Sequence, residues 1–257
     1  MPEIPPSFHS LPDVAVGPSP LAAWRWRGDE QILVLGCGDG VEADRLARRV
    51  PRGYVLGIDP AEPNIRLARA YARGNLDFSR QTVNSISFQE RFDVIWSDGV
   101  LQEVRDHRDL LTRVYRALRP GGLVGFRFWS ADSEPEPVRC LRQAMEQVDF
   151  AARFQTFSWP WFMPTVAQYE RLVATLPFRT TRVSCEKGFR MVPDAEALTE
   201  WLDRVLLPPF FAVLSTADER DLFRAYVLTA LLMSVRQPDG RCRLASARLI
   251  FTGRKLP

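Results

Sequence analysis

The residues that most clearly indicate chemistry are the glycines of a short loop, Gly36-Cys37-Gly38-Asp39-Gly40. The loop follows an apolar run at 31–35 and precedes a helical pattern at 41–49. Glycine lets a backbone turn sharply and come close to a ligand. The N-terminus of the next helix adds unpaired N–H groups and a partial positive charge. Because the third glycine follows the second by two residues, the dinucleotide fingerprint is not matched.

A carboxylate stands where a bound nucleoside would need one. Asp59 ends the next apolar run, GYVLGIDP, about 20 residues beyond the glycine loop, which is where an acidic residue accepts hydrogen bonds from ribose hydroxyls. Either feature alone is also explained by a tight turn or a surface acid. Together, in one strand–helix–strand frame, they predict a nucleoside-containing ligand.

The elements that position these residues alternate regularly through the first half of the chain. Short apolar runs rich in β-branched residues and helical patterns follow one another at 31–35, 41–49, 54–58, 62–72, 76–78, 92–96, 108–118 and 123–128. This alternation is typical of βαβ units and a mostly parallel sheet. Pro120-Gly121-Gly122 predicts a turn that ends the third helix before the next strand. We therefore predict an α/β fold with a doubly wound, Rossmann-like sheet.

The whole chain divides into four parts. Residues 1–20 contain six prolines and predict an extended N-terminal arm, since proline fixes φ and removes a backbone donor. Residues 21–133 form the ligand-binding core. Residues 134–242 predict a helical cover, with helices near 137–153, 165–175, 194–206 and 217–234 and an aromatic cluster at 154–162. Residues 243–257 contain a final strand that returns to the core sheet.

Composition excludes several classes of protein. Lys and Arg total 34 against 31 Asp and Glu, so the net charge of +3 and the absence of a dense basic stripe do not favour a nucleic-acid partner. The four cysteines form no CxxC pair and only two histidines accompany them, which argues against a metal site and a disulfide framework. The N-terminus does not resemble a signal peptide, and no apolar run approaches the length of a membrane span. We expect a cytoplasmic protein that acts on a small molecule, and the oligomeric state is not readable.

Several motifs together resemble class I S-adenosylmethionine-dependent methyltransferases. These are the GCGDG loop, Asp59, the segment FDVIWSDGVLQEV at 92–104 and LRPGGLVGF at 118–126. The resemblance covers roughly residues 30–130 and implies a seven-stranded sheet with an antiparallel last strand. It also implies S-adenosylmethionine as the cofactor.

The resemblance implies a role for particular residues. The three glycines approach the methionine part of the cofactor, Asp59 binds the ribose, and Asp98 and Leu101 line the wall near the sulfonium. The expected cofactor-binding residues are Gly36, Cys37, Gly38, Gly40, Asp59, Pro60, Thr82, Val83, Asp98 and Leu101. Thr82 stands where the family commonly has an aspartate that holds the adenine amino group.

A narrower resemblance points to the trans-aconitate methyltransferase-like subgroup, which methylates small carboxylic acids. It is carried by LQEVRDH at 101–107, by 159–172, by WLDRVLLPPFF at 201–211 and by the closing segment. The chain departs from the subgroup at Glu103, where an aromatic residue is usual, and at Pro208, where the pattern has an arginine. Loss of that arginine makes trans-aconitate itself a less suitable acceptor.

Carboxylate methylation fits a chain with few histidines, because an ionised carboxylate needs no general base. The candidate catalytic residues are Asp98, Glu103 and His107. Arg127, Arg182 and Arg190 are candidate anion clamps, since guanidinium binds carboxylate in a bidentate fashion. Trp159, Trp161 and Phe162 form either part of the cover's core or an apolar wall over the acceptor. If Glu103 faces the pocket, its charge favours an amine or ammonium acceptor.

Two other functions stay open at this point. Relatives of these methyltransferases that make azetidine-2-carboxylate close a ring within the cofactor's methionine part and release methylthioadenosine. Such an enzyme needs no clamp for a second substrate. A catalytically silent cofactor-binding module is the third alternative. The leading expectation is a small-molecule methyltransferase, of the kind used in secondary-metabolite biosynthesis.

Overall fold

The computed structural model describes residue 21 and residues 24–257, and the predicted arm at 1–20 lies outside the described residues. Its centre is one seven-stranded sheet in the order β3-β2-β1-β4-β5-β7-β6. The strands are β1 Gln31–Leu35, β2 Tyr54–Asp59, β3 Leu76–Arg80, β4 Phe92–Asp98, β5 Leu118–Trp129, β6 Arg179–Val192 and β7 Cys242–Arg254. β1 to β5 pair in parallel, whereas β7 runs antiparallel between β5 and β6.

Helices cover both faces of the sheet and its carboxyl edge. In chain order they are α1 Val41–Arg49, α2 Glu62–Ala68, α3 His107–Ala117, α4 Glu136–Met145, α5 Ala151–Phe154, α6 Val166–Val173, α7 Ala195–Trp201, α8 Pro208–Phe211 and α9 Ala217–Val235. Local sequence explains where the main helices begin. Asp106 caps α3 through the backbone N–H of Asp109, and Thr216 forms a capping box with Glu219 at the start of α9.

The hydrophobic residues form three connected cores. One lies between the sheet and α3 and α6, and a second lies between the sheet and α1. The third fills the cover, where Phe223 and Leu231 on the inner side of α9 pack with Phe210 and with Leu141 of α4. The cover therefore has its own buried interior, which holds its loops over the carboxyl edge of the parallel strands.

The predicted fold class is confirmed, with four local corrections. β5 begins at Leu118, so Pro120-Gly121-Gly122 is an irregularity within the β5 ladder rather than a turn before it. The segment predicted as a helical cover contains the 14-residue strand β6. The predicted helix at 137–153 is two helices, α4 and α5, and the helix predicted at 194–206 changes to a π-helix at Leu202–Leu206.

The strand β6 was missed because its sequence, RTTRVSCEKGFRMV, lacks a continuous apolar run. It is the edge strand of the sheet, and most of its side chains are exposed or half-buried. An edge strand of this kind carries little hydrophobic signal. Among the described residues, no helix has the length and apolar character that crossing a membrane requires.

Candidate active site

The glycine loop turns sharply between β1 and α1. Gly36, Gly38 and Gly40 all have positive φ, and Gly40 is the N-cap of α1. A Cβ atom at residue 36 would lie 2.2 Å from Cγ2 of Val100, so the loop also lies directly against the segment that follows β4. A side chain at residue 36 would have a strained backbone conformation and would collide with Val100. The buried Cys37 fixes the turn by donating its N–H to Ile58 O at 2.9 Å.

Asp59 connects the glycine loop to the end of β2. Its carboxylate accepts hydrogen bonds from the backbone N–H of Gly38 at 3.1 Å, from the N–H of Ala61 at 2.9 Å and from Asn64 Nδ2 at 3.1 Å. Since a carboxylate offers about four acceptor sites, these three bonds leave capacity for one more donor. The side chain is thus held rigidly beside the loop.

The segment after β3 lies next to Asp59. The N–H of Gln81 donates to Asp59 O at 3.1 Å, and Thr82 precedes a short 3-10 turn at Val83–Ser85. Thr82 is exposed, and its hydroxyl is 3.2 Å from Ser85 Oγ. Pro60 is also exposed, and its carbonyl accepts from Arg80 Nε. The structure therefore brings the predicted ribose and adenine positions to one edge of the sheet.

Asp98 is held by two arginines of neighbouring strands. Arg127 of β5 contacts both carboxylate oxygens, and Arg248 of β7 places Nη1 3.4 Å from Oδ1. All three side chains are largely buried. Because two guanidinium groups neutralise this carboxylate, the geometry argues against Asp98 as a proton-accepting base. It favours a role in orienting Arg127 and Arg248.

Two further acids line the same edge. Glu42, in the first turn of α1, has a raised pKa through loss of hydration and then through the negative charge of Asp98. Glu103 is open to solvent, yet partial loss of hydration and then the charge of Asp59 raise its pKa as well. Glu103 ends the 3-10 turn Leu101–Glu103 that follows β4, at the same carboxyl edge of the parallel strands at which Asp59 ends β2.

His107 and Leu101 lie beneath this edge and not in the cleft. His107 is 2% exposed; its Nδ1 is 3.1 Å from Tyr169 Oη and its Nε2 is 2.8 Å from Leu101 O. Burial lowers the pKa of His107 to about 4, so the ring is neutral at physiological pH. With both nitrogens engaged, it is a packing residue rather than a base. The Leu101 side chain is fully buried in the sheet core and presents no surface to the cleft.

A second cavity opens beside Asp98 under the cover. Arg190 of β6 and Arg248 of β7 both line it, and each is only 5% exposed. The walls come from β5, β7 and the cover: Trp129, Pro135, Pro137, Val138, Trp201, Leu244, Ala245 and Ser246. This arrangement places two guanidinium groups in apolar surroundings. Arg182, the third candidate clamp, is exposed and lines a different groove with Leu21 and Trp24.

The predicted aromatic cluster divides between two cores. The Trp159 and Trp161 rings pack 5.3 Å apart and both contact Phe210 in the cover. Trp161 also contacts Trp129, a wall of the arginine cavity, at 5.4 Å. Phe162 packs 4.4 Å from His107, and its N–H donates to the carbonyl of Gln102. The cluster therefore forms the cover's core and fixes its loop onto the segment after β4.

Comparison with known proteins identifies the family. Residues 32–122 match the family model described as a methyltransferase domain. Trans-aconitate 2-methyltransferase of Deinococcus radiodurans is 28% identical over 256 residues, covering 96% of each chain. The chain is a class I S-adenosylmethionine-dependent methyltransferase.

Other similarities agree with this methyltransferase assignment. Ubiquinone biosynthesis O-methyltransferase of Methylobacterium sp. (strain 4-46) is 38% identical over 112 residues, which is 42% of each chain. The solved structure of the YcgJ protein from Bacillus subtilis superposes with a TM-score of 0.62 at 14% identity, covering 92% of this chain and 96% of that one. The latter shows that the fold is shared.

The residues of this methyltransferase fit S-adenosylmethionine. Three positive-φ glycines leave the loop without side chains over the cleft, and Asp59 retains acceptor capacity beside it. Asp59, Thr82 and the glycine loop are thus the residues that would hold the cofactor. These assignments remain proposals for individual residues.

Two residues of the methyltransferase site escaped sequence reasoning. Arg248 lies in the last strand, far along the chain from Asp98, and only the antiparallel pairing of β7 with β5 brings the two together. Glu42 gave no separate signal, because an acidic residue in the first turn of a helix is already explained by its favourable interaction with the helix dipole. The sequence signal for Arg248 was limited to an arginine within a predicted strand of the sheet.

Proposed function

We propose that this methyltransferase transfers a methyl group to a carboxylate oxygen of a small molecule. The observation that carries the proposal is the pair of buried arginines, Arg190 and Arg248, in one apolar cavity beside Asp98. A buried guanidinium selects for an anion of complementary geometry, and carboxylate is the planar anion that it binds best. The near full-length similarity to trans-aconitate 2-methyltransferases supports the same substrate class.

Arg248 and Arg190 would orient the acceptor from two different strands. Arg248 contacts Asp98 at the end of β4, so it reaches from the acceptor cavity to the edge that would hold the cofactor. Arg190 projects from β6 on the other side of β7. Two arginines on neighbouring strands would fix a carboxylate from two directions. Correct positioning of donor and acceptor is the main contribution that a protein makes to this kind of displacement.

When bound, S-adenosylmethionine supplies a methyl group on a positively charged sulfur, which an anionic oxygen attacks. The step needs no proton acceptor, because a carboxylate is ionised at neutral pH. Trp129 and Trp201 close the cavity with apolar surface and limit access of water. This role agrees with the neutral, fully engaged ring of His107.

Glu103 favours a second candidate acceptor. Its exposed carboxyl group follows β4 at the edge of the sheet where Asp59 ends β2, and a negative charge there would attract a cationic group and repel an anionic one. An amine or ammonium acceptor is therefore the alternative for the reacting group. No contact among the described residues favours the cyclising reaction.

The experiment uses purified protein, S-adenosylmethionine and acceptors offered singly, with S-adenosylhomocysteine as the readout. The panel pairs small carboxylates with amines of the same carbon skeleton, and mass spectrometry locates the new methyl group. Base-labile methyl esters would support carboxylate methylation, whereas base-stable N-methyl products would support the alternative. Methylthioadenosine formed from the cofactor alone would overturn both.

A further inference from the structure

The outer face of α9 carries an apolar stripe that the fold leaves uncovered. Leu222, Tyr226, Thr229 and Met233 follow one another at intervals of four, three and four residues, so they lie on one side of the helix. Leu222 is 45% exposed, Tyr226 38% and Met233 86%. We call these four residues the α9 stripe.

The opposite side of α9 already packs against the cover. Phe223, Val227, Leu231 and Val235 are buried there, which explains why the helix is needed inside the protein. Tyr226 of the α9 stripe also packs inward, with its ring centroid 5.8 Å from that of Phe150, whereas Leu222 and Met233 leave much of their apolar surface exposed. Exposed apolar residues beside a buried helix face indicate a second surface to be covered.

Charges beside the α9 stripe specify what covers it. Asp218 precedes the stripe and Arg236 follows it, on the same flank of the helix. Both are exposed, and neither forms an ion pair with any other residue in the described part of the chain. One end of the flank is thus negative and the other positive.

We propose that the α9 stripe is the contact surface of a homodimer, in which α9 packs against α9 of a second copy in antiparallel orientation. In this arrangement Leu222 lies opposite Met233 of the other copy, and Tyr226 opposite Thr229. The same register brings Asp218 within one residue of Arg236 of the other copy, and two-fold symmetry repeats every contact. A parallel arrangement would instead oppose like charges.

The homodimer is independent of the proposed acceptor, because the four residues of the α9 stripe do not line the cavity of Arg190 and Arg248. It would stabilise the cover, since α9 carries Phe223 against Phe210 in the cover's interior at 5.9 Å. Anything that binds only the folded state raises its stability by mass action. We therefore expect the melting temperature to rise with protein concentration.

The test is sedimentation equilibrium of the full chain over a wide concentration range. The average mass should rise from 29.3 kDa toward twice that value as concentration increases. Met233→Glu puts an unpaired charge against the apolar Leu222 of the other copy at both ends of the contact and should weaken association by about tenfold or more. Leu67→Glu is the matched control, because Leu67 is an exposed apolar residue of α2 at the other side of the sheet.

Charge reversal tests the antiparallel register. Asp218→Arg alone should weaken the dimer, because the new arginine would face Arg236, and adding Arg236→Asp should restore it. Circular dichroism confirms that each variant is folded. A chain that stays monomeric at all concentrations would overturn the proposal. A dimer that Met233→Glu leaves unchanged, or that the double reversal fails to restore, would assign the contact to another surface or register.

Discussion

Arg248 Nη1 lies 3.4 Å from Asp98 Oδ1, although 150 positions separate the two residues in the chain. The contact joins the last strand to the end of β4, where the cleft beside the glycine loop meets the arginine cavity. Arg127 holds the same carboxylate from the strand between them. Because β5 and β7 pair directly, the position of Arg248 depends on the register of the sheet. A change in that register would separate the two halves of the site.

Replacing Arg190 with methionine should raise the KM for a carboxylate acceptor by about tenfold to a hundredfold, the loss expected for a charge-assisted contact. The affinity for S-adenosylmethionine should stay the same. Steady-state kinetics and calorimetry measure the two quantities separately. Arg182→Met is the control on the same strand, since Arg182 lines a different groove. An unchanged KM in a folded Arg190→Met variant would remove Arg190 from the acceptor site.

Asp59→Ala should weaken S-adenosylmethionine binding about tenfold or more, because it removes the only carboxylate placed against both Gly38 and the start of α2 among the described residues. It should also lower the free energy of unfolding by about 1–3 kcal/mol, since two buried N–H groups lose their acceptor. Calorimetry and urea unfolding report the two effects. Asp77→Ala, at an exposed position of β3, is the comparison variant. Equal cofactor affinity in both variants would contradict the assignment.

Glu103→Gln should shift the choice between paired acceptors toward the more anionic member. The carboxylate attracts a cationic group only when ionised, and its raised pKa moves that ionisation above the usual glutamate range. The preference of the wild type for ammonium-bearing acceptors should therefore decline as the pH falls through this range, and the variant should lack that decline. The measurement is the ratio of kcat/KM values at several pH values. Glu146→Gln, an exposed acid of the cover, provides the control.

His107 should affect stability and not chemistry. Its pKa falls from 6.5 in the unfolded chain to about 4 in the folded one, so the unfolded state binds more protons between these values. The stability is complete above pH 6.5 and is lost as the pH falls toward 4, by about 3 kcal/mol in all. Urea unfolding of His107→Gln across this window should lack that component. If the variant instead lost the pH dependence of kcat, His107 would be the base that its geometry argues against.

The sequence by itself predicted the half of this protein that we assign to the cofactor. The glycine loop, Asp59 and the strand–helix alternation are local signals, because backbone turns, helix starts and parallel strand ends lie within short stretches of chain. For the same reason α1 was predicted with its observed bounds, Val41–Arg49. The role of Asp59 at the end of β2 depended only on neighbouring elements.

The tertiary structure alone decided the acceptor half. Arg190 and Arg248 come together only because β6 and β7 pair antiparallel, and such long-range register leaves no periodic signal in the chain. The burial of His107 depends on how the loop after β4 packs under Phe162. Side-chain environment follows from contacts between distant segments. The residue types were therefore visible in the sequence, but their roles depended on the folded arrangement.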